Sequence, residues 1–301
     1  MKAPATSSEV FADETDDPCL LALRAYVWGF APVLAARLRQ SFTNPADPFA
    51  PRLPTSAGAP LNSIGHQRRL SGPTLPGVAP NVDTLYSLAW LDLAEEPFVL
   101  EAPDFGSPYY SFQIGYADTR ADLSLGARTH GSQLPAIFIS GPGDPTAVPP
   151  RMLHVTSHTR YLLVAGANPR SARRPGDHEA ACDLQLQIRL RTLSRYLASD
   201  DRANPVPEQR PLDEGNGGGG GEVALLNELG NVLRDWVVTP HEHGLIDSFR
   251  RIGSTGTASC SPATRCRRST PSGRSRCTGA TPIRSCRTGS GATRSATERP
   301  G

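Results

Sequence analysis

The first regular segment of the chain carries apolar residues at helical spacing. Asp17 followed by Pro18 indicates a helix start, because Asp caps free backbone N–H groups and Pro suits the first helical position. Large apolar residues then recur every three or four positions: Leu20, Leu23, Val27, Phe30, Leu34 and Leu38. This spacing predicts a helix over Cys19–Gln40. Pro32 should kink or split it.

After an irregular, proline-rich stretch over residues 43–80, the pattern changes to short apolar and aromatic runs. Gly, Pro, Asn or Asp separates most of them, which is typical of strands. The predicted strands are Thr84–Leu93, Phe98–Glu101, Tyr109–Tyr116, Asp122–Arg128, Ala136–Ser140, Met152–Val155 and Arg160–Ala165. Their spacing of roughly 8–15 residues favours a sandwich or barrel over alternating β-α units.

Helical spacing returns in the last third of the chain and predicts three more helices, Asp177–Leu197, Glu222–Trp236 and Glu242–Ile252. The pattern divides the chain into five parts: a disordered N-terminus (1–17), a β-rich domain with an N-terminal helix (18–200), a Gly-rich linker (201–221), a helical connector (222–253) and a disordered tail (254–301).

The charge of the chain is unevenly distributed. The net charge is +2, but the tail holds nine Arg and one Glu, so the body is −6. An acidic body argues against nucleic-acid binding. The first 18 residues are acidic and lack an apolar signal segment, and no apolar run reaches 18 residues. We therefore expect a cytoplasmic protein with no membrane partner, and the oligomeric state stays open.

The tail is rich in Ser, Thr and Arg, holds four of the six Cys, and contains one large aliphatic residue, Ile283. Such a segment buries too little apolar surface to fold. It could be a basic arm for anionic surfaces, a metal or disulfide site, or out-of-frame translation of a GC-rich gene. Its Cys residues lack metal-site spacing. We favour the out-of-frame interpretation.

The densest polar pattern precedes and enters the first strand. Asn81 and Asp83 stand before it, and Tyr86, Trp90 and Asp92 share one face of it because side chains alternate along a strand. One interpretation is a ligand site with a polar rim and an aromatic platform. The other is turn capping by Asn and Asp followed by core aromatics.

A second candidate cluster combines Tyr110 and Gln113 with Arg128 and Thr129. Gln113 and Arg128 on neighbouring strands would offer planar hydrogen-bond donors to an anion or a sugar hydroxyl. Alternatively, Arg128 forms a buried pair with Asp83 or Asp92, since a buried Arg requires a partner.

The sequence assigns no catalytic residues, no cofactor and no metal site. His241-Glu242-His243 is not a HExxH motif and has no third ligand at a known spacing. Neither GxSxG nor GxGxxG occurs.

Taken together, these motifs resemble the signature of the bacterial domain of unknown function 1254 family. The match consists of Pro80-Asn81-x-Asp83-Thr84-Leu85-Tyr86-Ser87-x-Ala89-Trp90-Leu91-Asp92-Leu93, Ala25-Tyr26-x-Trp28-Gly29, Tyr109-Tyr110-x-x-Gln113, Leu125-Gly126-x-Arg128-Thr129-x-Gly131 and Gly141-Pro142-Gly143. It covers roughly residues 19–200. The resemblance implies a mainly β fold with flanking helices: an immunoglobulin-like β-sandwich with an N-terminal helix and a C-terminal helical connector. It also implies a second domain, the domain of unknown function 1214, and hence a truncation after Gly253.

Two functions follow as hypotheses, and the family supplies no catalytic residues to decide between them. The first is a module that binds a small polar ligand, such as a carbohydrate, on Tyr86, Trp90 and Tyr110. The second is a hydrolase of small esters, amides or glycosides that uses Asp83 or Asp92 as acid or base. A third possibility is an inactive truncated product.

Overall fold

The computed structural model describes residues 17–72, 82–106, 109–170, 176–210, 212, 221–252 and 259–260. Residue contacts divide the chain into two units, Met1–Thr264 and Arg265–Gly301, and every described residue belongs to the first. Most of the predicted disordered segments therefore lies outside the described residues, as do residues 211 and 213–220 of the Gly-rich linker. Of the tail, only Ser259–Cys260 is described.

Helix α1 spans Pro18–Thr43 and begins as the sequence predicts. The Asp17 side chain accepts a hydrogen bond from the backbone N–H of Cys19 at 2.9 Å. Pro32 lies inside the continuous helix, so the expected split is wrong, and the alternative of a kink stays a prediction. Proline removes one backbone hydrogen bond at a cost of about 3 kcal/mol. Burial of small and apolar residues on both sides of Pro32 offsets that cost.

The length and composition of α1 also meet the criteria for a membrane span, with a mean hydropathy of 1.6, although the sequence predicted none. The same properties fit a signal sequence or a core helix. In this structure one face of α1 packs against the protein.

The first sheet has five strands in the order β1-β2-β8-β4-β5, and each neighbouring pair is antiparallel. The strands are β1 (Ile64–His66), β2 (Thr84–Asp92), β4 (Ser111–Tyr116), β5 (Leu123–Gly126) and β8 (Tyr161–Arg170). Strand β1 is missing from the sequence prediction, because three residues are too short to show a period.

The second sheet has four strands in the order β7-β6-β3-β9. They are β3 (Phe98–Glu101), β6 (Ile137–Ser140), β7 (Leu153–Thr156) and β9 (Arg189–Thr192). The β6–β7 pair is parallel, whereas β3 pairs antiparallel with both of its neighbours.

The main hydrophobic core holds side chains from both sheets. The first sheet contributes Ala89, Leu91, Phe112, Ile114, Leu162 and Val164, and the second contributes Phe98, Leu100, Ile137, Ile139 and Val155. The predicted inner face of β2 is buried as expected, because every second residue from Leu85 to Leu93 is at most 5% exposed. The described chain is therefore mainly β with flanking helices.

The remaining helices are short. They are α2 (Ala127–His130), α3 (Asp177–Leu186), α4 (Leu193–Leu197), α5 (Gly221–Val232) and α6 (His243–Phe249), the last followed by a 3-10 turn over Arg250–Ile252. A two-residue strand, β10 (Val237–Val238), pairs in parallel with β11 (Ser259–Cys260).

The single helix predicted over Asp177–Leu197 is wrong in its middle. Residues Arg189–Thr192 form β9 and pair with β3 over four residues. Pairing with β3 provides hydrogen-bond partners for the backbone groups of these residues. The free energy gained from this tertiary contact outweighs the weak helical preference of the local sequence. The two later helices are confirmed, with boundaries shifted by a few residues.

A second hydrophobic cluster joins α1 to the C-terminal helices. Its buried members include Ala25, Val33, Leu225, Leu229, Leu233, Trp236, Ile246 and Phe249. Helices α1 and α5 are also linked by Arg37, which donates two hydrogen bonds to the Glu228 carboxylate at 2.7 and 3.0 Å. The C-terminal helices therefore pack on the N-terminal helix.

Candidate functional site

The outer face of β2 is covered only along its second half. Tyr86 and Leu88 are half-buried, whereas Trp90 and Asp92 are 5% and 7% exposed. Trp90 packs with Ala35 of α1 and with Leu61. The motif strand thus presents its last two outward side chains to the region between the sheet and the helices.

Asp92 is one end of a charged bridge. Arg160 donates from Nε and Nη2 to the two Asp92 carboxylate oxygens, both at 2.7 Å, and from Nη1 to Asp235 Oδ1 at 2.7 Å. These hydrogen bonds from the guanidinium to Asp92 raise the pKa of Arg160 above its usual value. The bridge ties the first sheet to the segment that follows α5.

Arg39 is the most deeply buried cation of this region, at 6% exposure. Its guanidinium lies 3.8 Å from the centre of the Tyr161 ring, and its Nη1 donates to Gln209 Oε1 at 2.7 Å. Burial lowers the pKa of Arg39 and raises that of Tyr161 to about 12. In the described part of the chain, no carboxylate lies within 4.0 Å of this guanidinium.

A cavity of about 40 Å³ lies among these groups, which we call the α1 cavity. Its lining includes Arg39, Trp90, Arg160, Tyr161, Asp235 and Trp236. The indole Nε1 atoms of Trp90 and Trp236 are both buried without a hydrogen-bond partner among the described residues. A buried donor without an acceptor costs about 1–3 kcal/mol, so the region has unused hydrogen-bonding capacity.

Tyr110 and Tyr86 do not meet Trp90 in a shared aromatic platform. Tyr110 is fully buried in the main core, where its ring stacks on Phe105 at 4.0 Å. Tyr86 is held through its backbone, which exchanges hydrogen bonds with Gln67 at 2.8 and 3.1 Å. Neither tyrosine lines the α1 cavity.

The other predicted site residues lie elsewhere. Gln113 and Arg128 are exposed, and Arg128 stacks over the Tyr109 ring at 5.5 Å, not against an Asp. Thr129 bonds to the backbone of its own turn. Asp83 is exposed at the turn before β2. Asn81 lies outside the described residues. The buried Arg–Asp pair that the sequence suggested for Arg128 is made by Arg160 with Asp92.

A separate polar cluster surrounds the first half of β2. His66 Nδ1 lies 2.9 Å from Ser87 Oγ, and Gln185 donates to the Tyr86 carbonyl at 3.1 Å. Burial, followed by the charge of Arg68, lowers the pKa of His66 to about 4. A Ser–His pair can generate a nucleophile, but Ser87 is fully buried and lines neither the α1 cavity nor the groove described next.

An open groove of about 530 Å³ runs beside the turn at Gly141–Gly143. Its polar lining includes Glu95, Glu96, Asp144 and Ser194. None of its lining residues is aromatic, so it lacks the flat apolar surface on which sugar rings stack. Within the described ranges, no group of three or more His, Cys, Asp or Glu residues is placed to hold a metal ion.

The sequence led to Trp90 and Asp92 but missed the groups around them. Arg39, Tyr161 and the adjacent pair Asp235 and Trp236 come from three segments that only the fold brings together. One signal was available for Arg39: it follows the small and apolar residues Val33, Ala35 and Ala36 at helical spacing, which places a charge on a buried helix face.

The comparisons with known proteins agree with the motif resemblance. A family model described as "Protein of unknown function (DUF1254)" matches residues 61–192. The VPA0106 protein of Vibrio parahaemolyticus has a solved structure that is similar to this chain, with a TM-score of 0.60 and 20% sequence identity. The alignment covers 80% of this chain and 53% of VPA0106, so the chain spans about half the length of that protein.

A solved structure of an uncharacterized protein from Burkholderia cenocepacia aligns with 17% sequence identity. The alignment covers 83% of this chain and 54% of the Burkholderia chain, and its TM-score of 0.26 is too low to indicate a shared fold. No curated protein matches the chain. The family match spans the strand that carries Trp90 and Asp92 and extends to β9. Residues 61–192 of this chain are therefore a domain of the DUF1254 family.

Proposed function

We propose that this protein binds a small carboxylate, or an anion of similar size and shape, in the α1 cavity. The observation that carries the proposal is the combination of Arg39, a buried cation without a described carboxylate partner, with two buried indole N–H groups that lack acceptors. Buried charges in proteins are normally paired, and buried donors normally bonded. In this proposal one anion in the cavity accepts hydrogen bonds from all three groups.

The charges around the cavity favour an acceptor ligand. Arg160 already bonds to both nearby carboxylates, Asp92 and Asp235, and this leaves Arg39 with the neutral Gln209 as its described acceptor. Arg and Trp side chains donate hydrogen bonds and do not accept them. A carboxylate supplies two acceptor oxygens in the planar geometry that a guanidinium recognises.

The cavity size narrows the ligand class. Pockets that enclose drug-sized ligands measure roughly 300–1,000 Å³, whereas the α1 cavity measures about 40 Å³. It suits a head group of a few heavy atoms. We therefore propose a small acid in place of the carbohydrate that the sequence suggested, and Trp90 as a hydrogen-bond donor in place of a stacking platform.

The hydrolase hypothesis gains no support from the geometry. Asp92 accepts two hydrogen bonds from Arg160 and a third from the backbone N–H of Ala94 at 3.1 Å. Asp83 is exposed at a turn, and neither carboxylate lines the α1 cavity. A general base needs a free lone pair beside the substrate.

We also propose two structural features of the chain, an immunoglobulin-like sandwich and the loss of a second domain. The two facing sheets support an immunoglobulin-like sandwich, although the parallel β6–β7 pair departs from the antiparallel pattern of that fold. We also propose that the chain has lost a second β domain after Gly253. The nucleotide sequence around that codon, read in three frames, tests this: an open frame that encodes alternating strands would support it.

Calorimetric titration of the full chain with sodium acetate, propionate and glucose tests the binding proposal. We expect the two carboxylates to bind and glucose not to bind. Arg39→Met should raise the acetate Kd by about 10- to 100-fold, because a hydrogen bond to a charged group contributes about 1.5–3 kcal/mol. Trp90→Phe, which removes the indole N–H together with part of the ring, should raise it by about fivefold or more.

Arg202→Met is the matched control, since Arg202 is exposed and pairs with Asp200 away from the cavity. Its acetate Kd should equal that of the wild type. Absence of carboxylate binding by the wild type, or equal Kd values for the Arg39, Trp90 and Arg202 variants, would show the proposal to be wrong. Thermal unfolding without ligand confirms that each variant is folded.

A further inference from the structure

Helix α1 carries a row of large apolar side chains that the protein leaves in solvent. Leu20, Leu23, Val27, Phe30, Leu34 and Leu38 are each between 39% and 58% exposed. We call these six residues the apolar stripe. They are the same residues whose spacing predicted the helix, yet the buried face is another one, formed by small residues such as Ala25, Gly29 and Ala36.

The stripe is continuous and uncharged. At about 100° per residue, its six members fall within an arc of about 80° along the whole helix. The charged residues nearest to this arc are Arg24 and Arg37, one on each side. Arg37 is already paired with Glu228. An uncharged apolar face of this length on a soluble domain marks an interaction surface.

The spacing along the stripe fits another helix as the partner. From Leu20 to Leu34 the intervals are three, four, three and four residues. This alternation forms the a/d seam along which two helices pack with knobs into holes. The opposite face of α1 is held on α5 by the second hydrophobic cluster, so the helix is fixed with its stripe outward.

The exposed area fits a second copy of this chain. Six half-exposed large side chains present on the order of 500 Å² to solvent, which is at the upper end for the largest apolar patch of a monomer. Two copies that join their stripes would bury about 1,000 Å², the lower limit for a specific interface. Isologous contacts of this kind close as twofold dimers.

We infer that the apolar stripe is the interface of a homodimer in which α1 of one protomer packs along α1 of the other. A dimer of this size is weak and dissociates on dilution, because its interface lies at the low end of the specific range. The membrane alternative fits less well, because α1 holds its other face on α5 and its flanks offer few basic residues to anionic lipids.

Sedimentation equilibrium of the full chain between 1 and 200 µM tests this inference. The wild type should approach twice the chain mass of 32.1 kDa. The variant Leu23→Glu with Phe30→Glu should remain monomeric, with a dimer Kd raised on the order of 100-fold or more, since four carboxylates would enter one interface.

The matched control replaces Leu53 and Phe49 by Glu. Both are exposed, at 71% and 76%, and lie off α1. This control should dimerise like the wild type. A monomeric wild type at 200 µM, or a dimer that persists in the stripe variant, overturns the inference. Wild-type monomers that bind phosphatidylcholine–phosphatidylglycerol vesicles through the stripe would overturn it in favour of a lipid surface.

Discussion

His66 is a half-buried base whose protonation opposes folding. Its pKa is lowered to about 4, chiefly by burial, whereas an unfolded chain has a His pKa of about 6.5. The unfolded state therefore takes up the proton first as the pH falls. The loss of folding stability that is due to His66 is absent above pH 6.5, grows between pH 6.5 and 4, and is constant below 4, at most about 3 kcal/mol in total.

Urea unfolding of the wild type and His66→Gln at pH 7.5, 6, 5 and 4.5 tests this expectation. Glutamine retains an acceptor for Ser87 but does not titrate, so the variant should lose less stability over the window. His241→Gln is the control, because His241 is exposed and precedes α6. Parallel pH curves for wild type and His66→Gln would contradict the account.

Individual residues show which parts of the candidate site can be predicted from the sequence. Trp90 and Asp92 were identified because alternation along a strand places them on one face. Tyr110 directly precedes β4 and faces the main core, and the sequence cannot tell which side of a sheet a second layer will cover. Arg160 was missed as the partner of Asp92 because 68 residues separate the two.

Helix α1 and helix α5 depend on a close approach at Gly29. A Cβ atom at this position would lie 2.6 Å from the Cδ2 atom of Leu229. Gly29→Leu should therefore destabilise the protein by about 1–3 kcal/mol through overpacking. Combining it with Leu229→Ala should recover part of that loss, because the smaller side chain makes room.

Guanidinium unfolding of the two single variants and the double variant measures this coupling. Gly244→Ala is the control, since nothing lies within 4 Å of a Cβ atom there. It should be neutral or slightly stabilising, as Ala favours helix over Gly. Strict additivity of the Gly29 and Leu229 changes would show that the two helices do not meet as described.

At the level of elements, alternation and turn residues were sufficient for the seven strands β2 to β8. They were insufficient at β9, where pairing with β3 overrides a weak helical pattern. For α1 the helix was predicted, but its buried face was not. Small residues such as Ala25 and Gly29 lie against α5 because they permit close packing, whereas the larger apolar residues remain outside.

The molecule as a whole creates the candidate site. The α1 cavity is lined by residues of α1, two strands of the first sheet and the segment after α5. No local pattern connects these segments, so the site depends on the global fold. The family match covers residues 61–192, while Arg39 and Trp236 of the cavity lie on either side of that range. The candidate site therefore combines residues of the DUF1254 match with residues of the N-terminal helix and of the C-terminal segment.

Anion binding in the α1 cavity is tested by following the indole N–H signals of the three tryptophans in a ¹H–¹⁵N spectrum during titration with acetate. Trp90 and Trp236 line the cavity, whereas Trp28 packs on Trp236 outside its lining. Single Trp→Phe variants assign the three signals. We predict saturable downfield shifts for Trp90 and Trp236 as each donates to the anion, with a smaller change for Trp28. Unchanged Trp90 and Trp236 signals at saturating acetate would contradict the account.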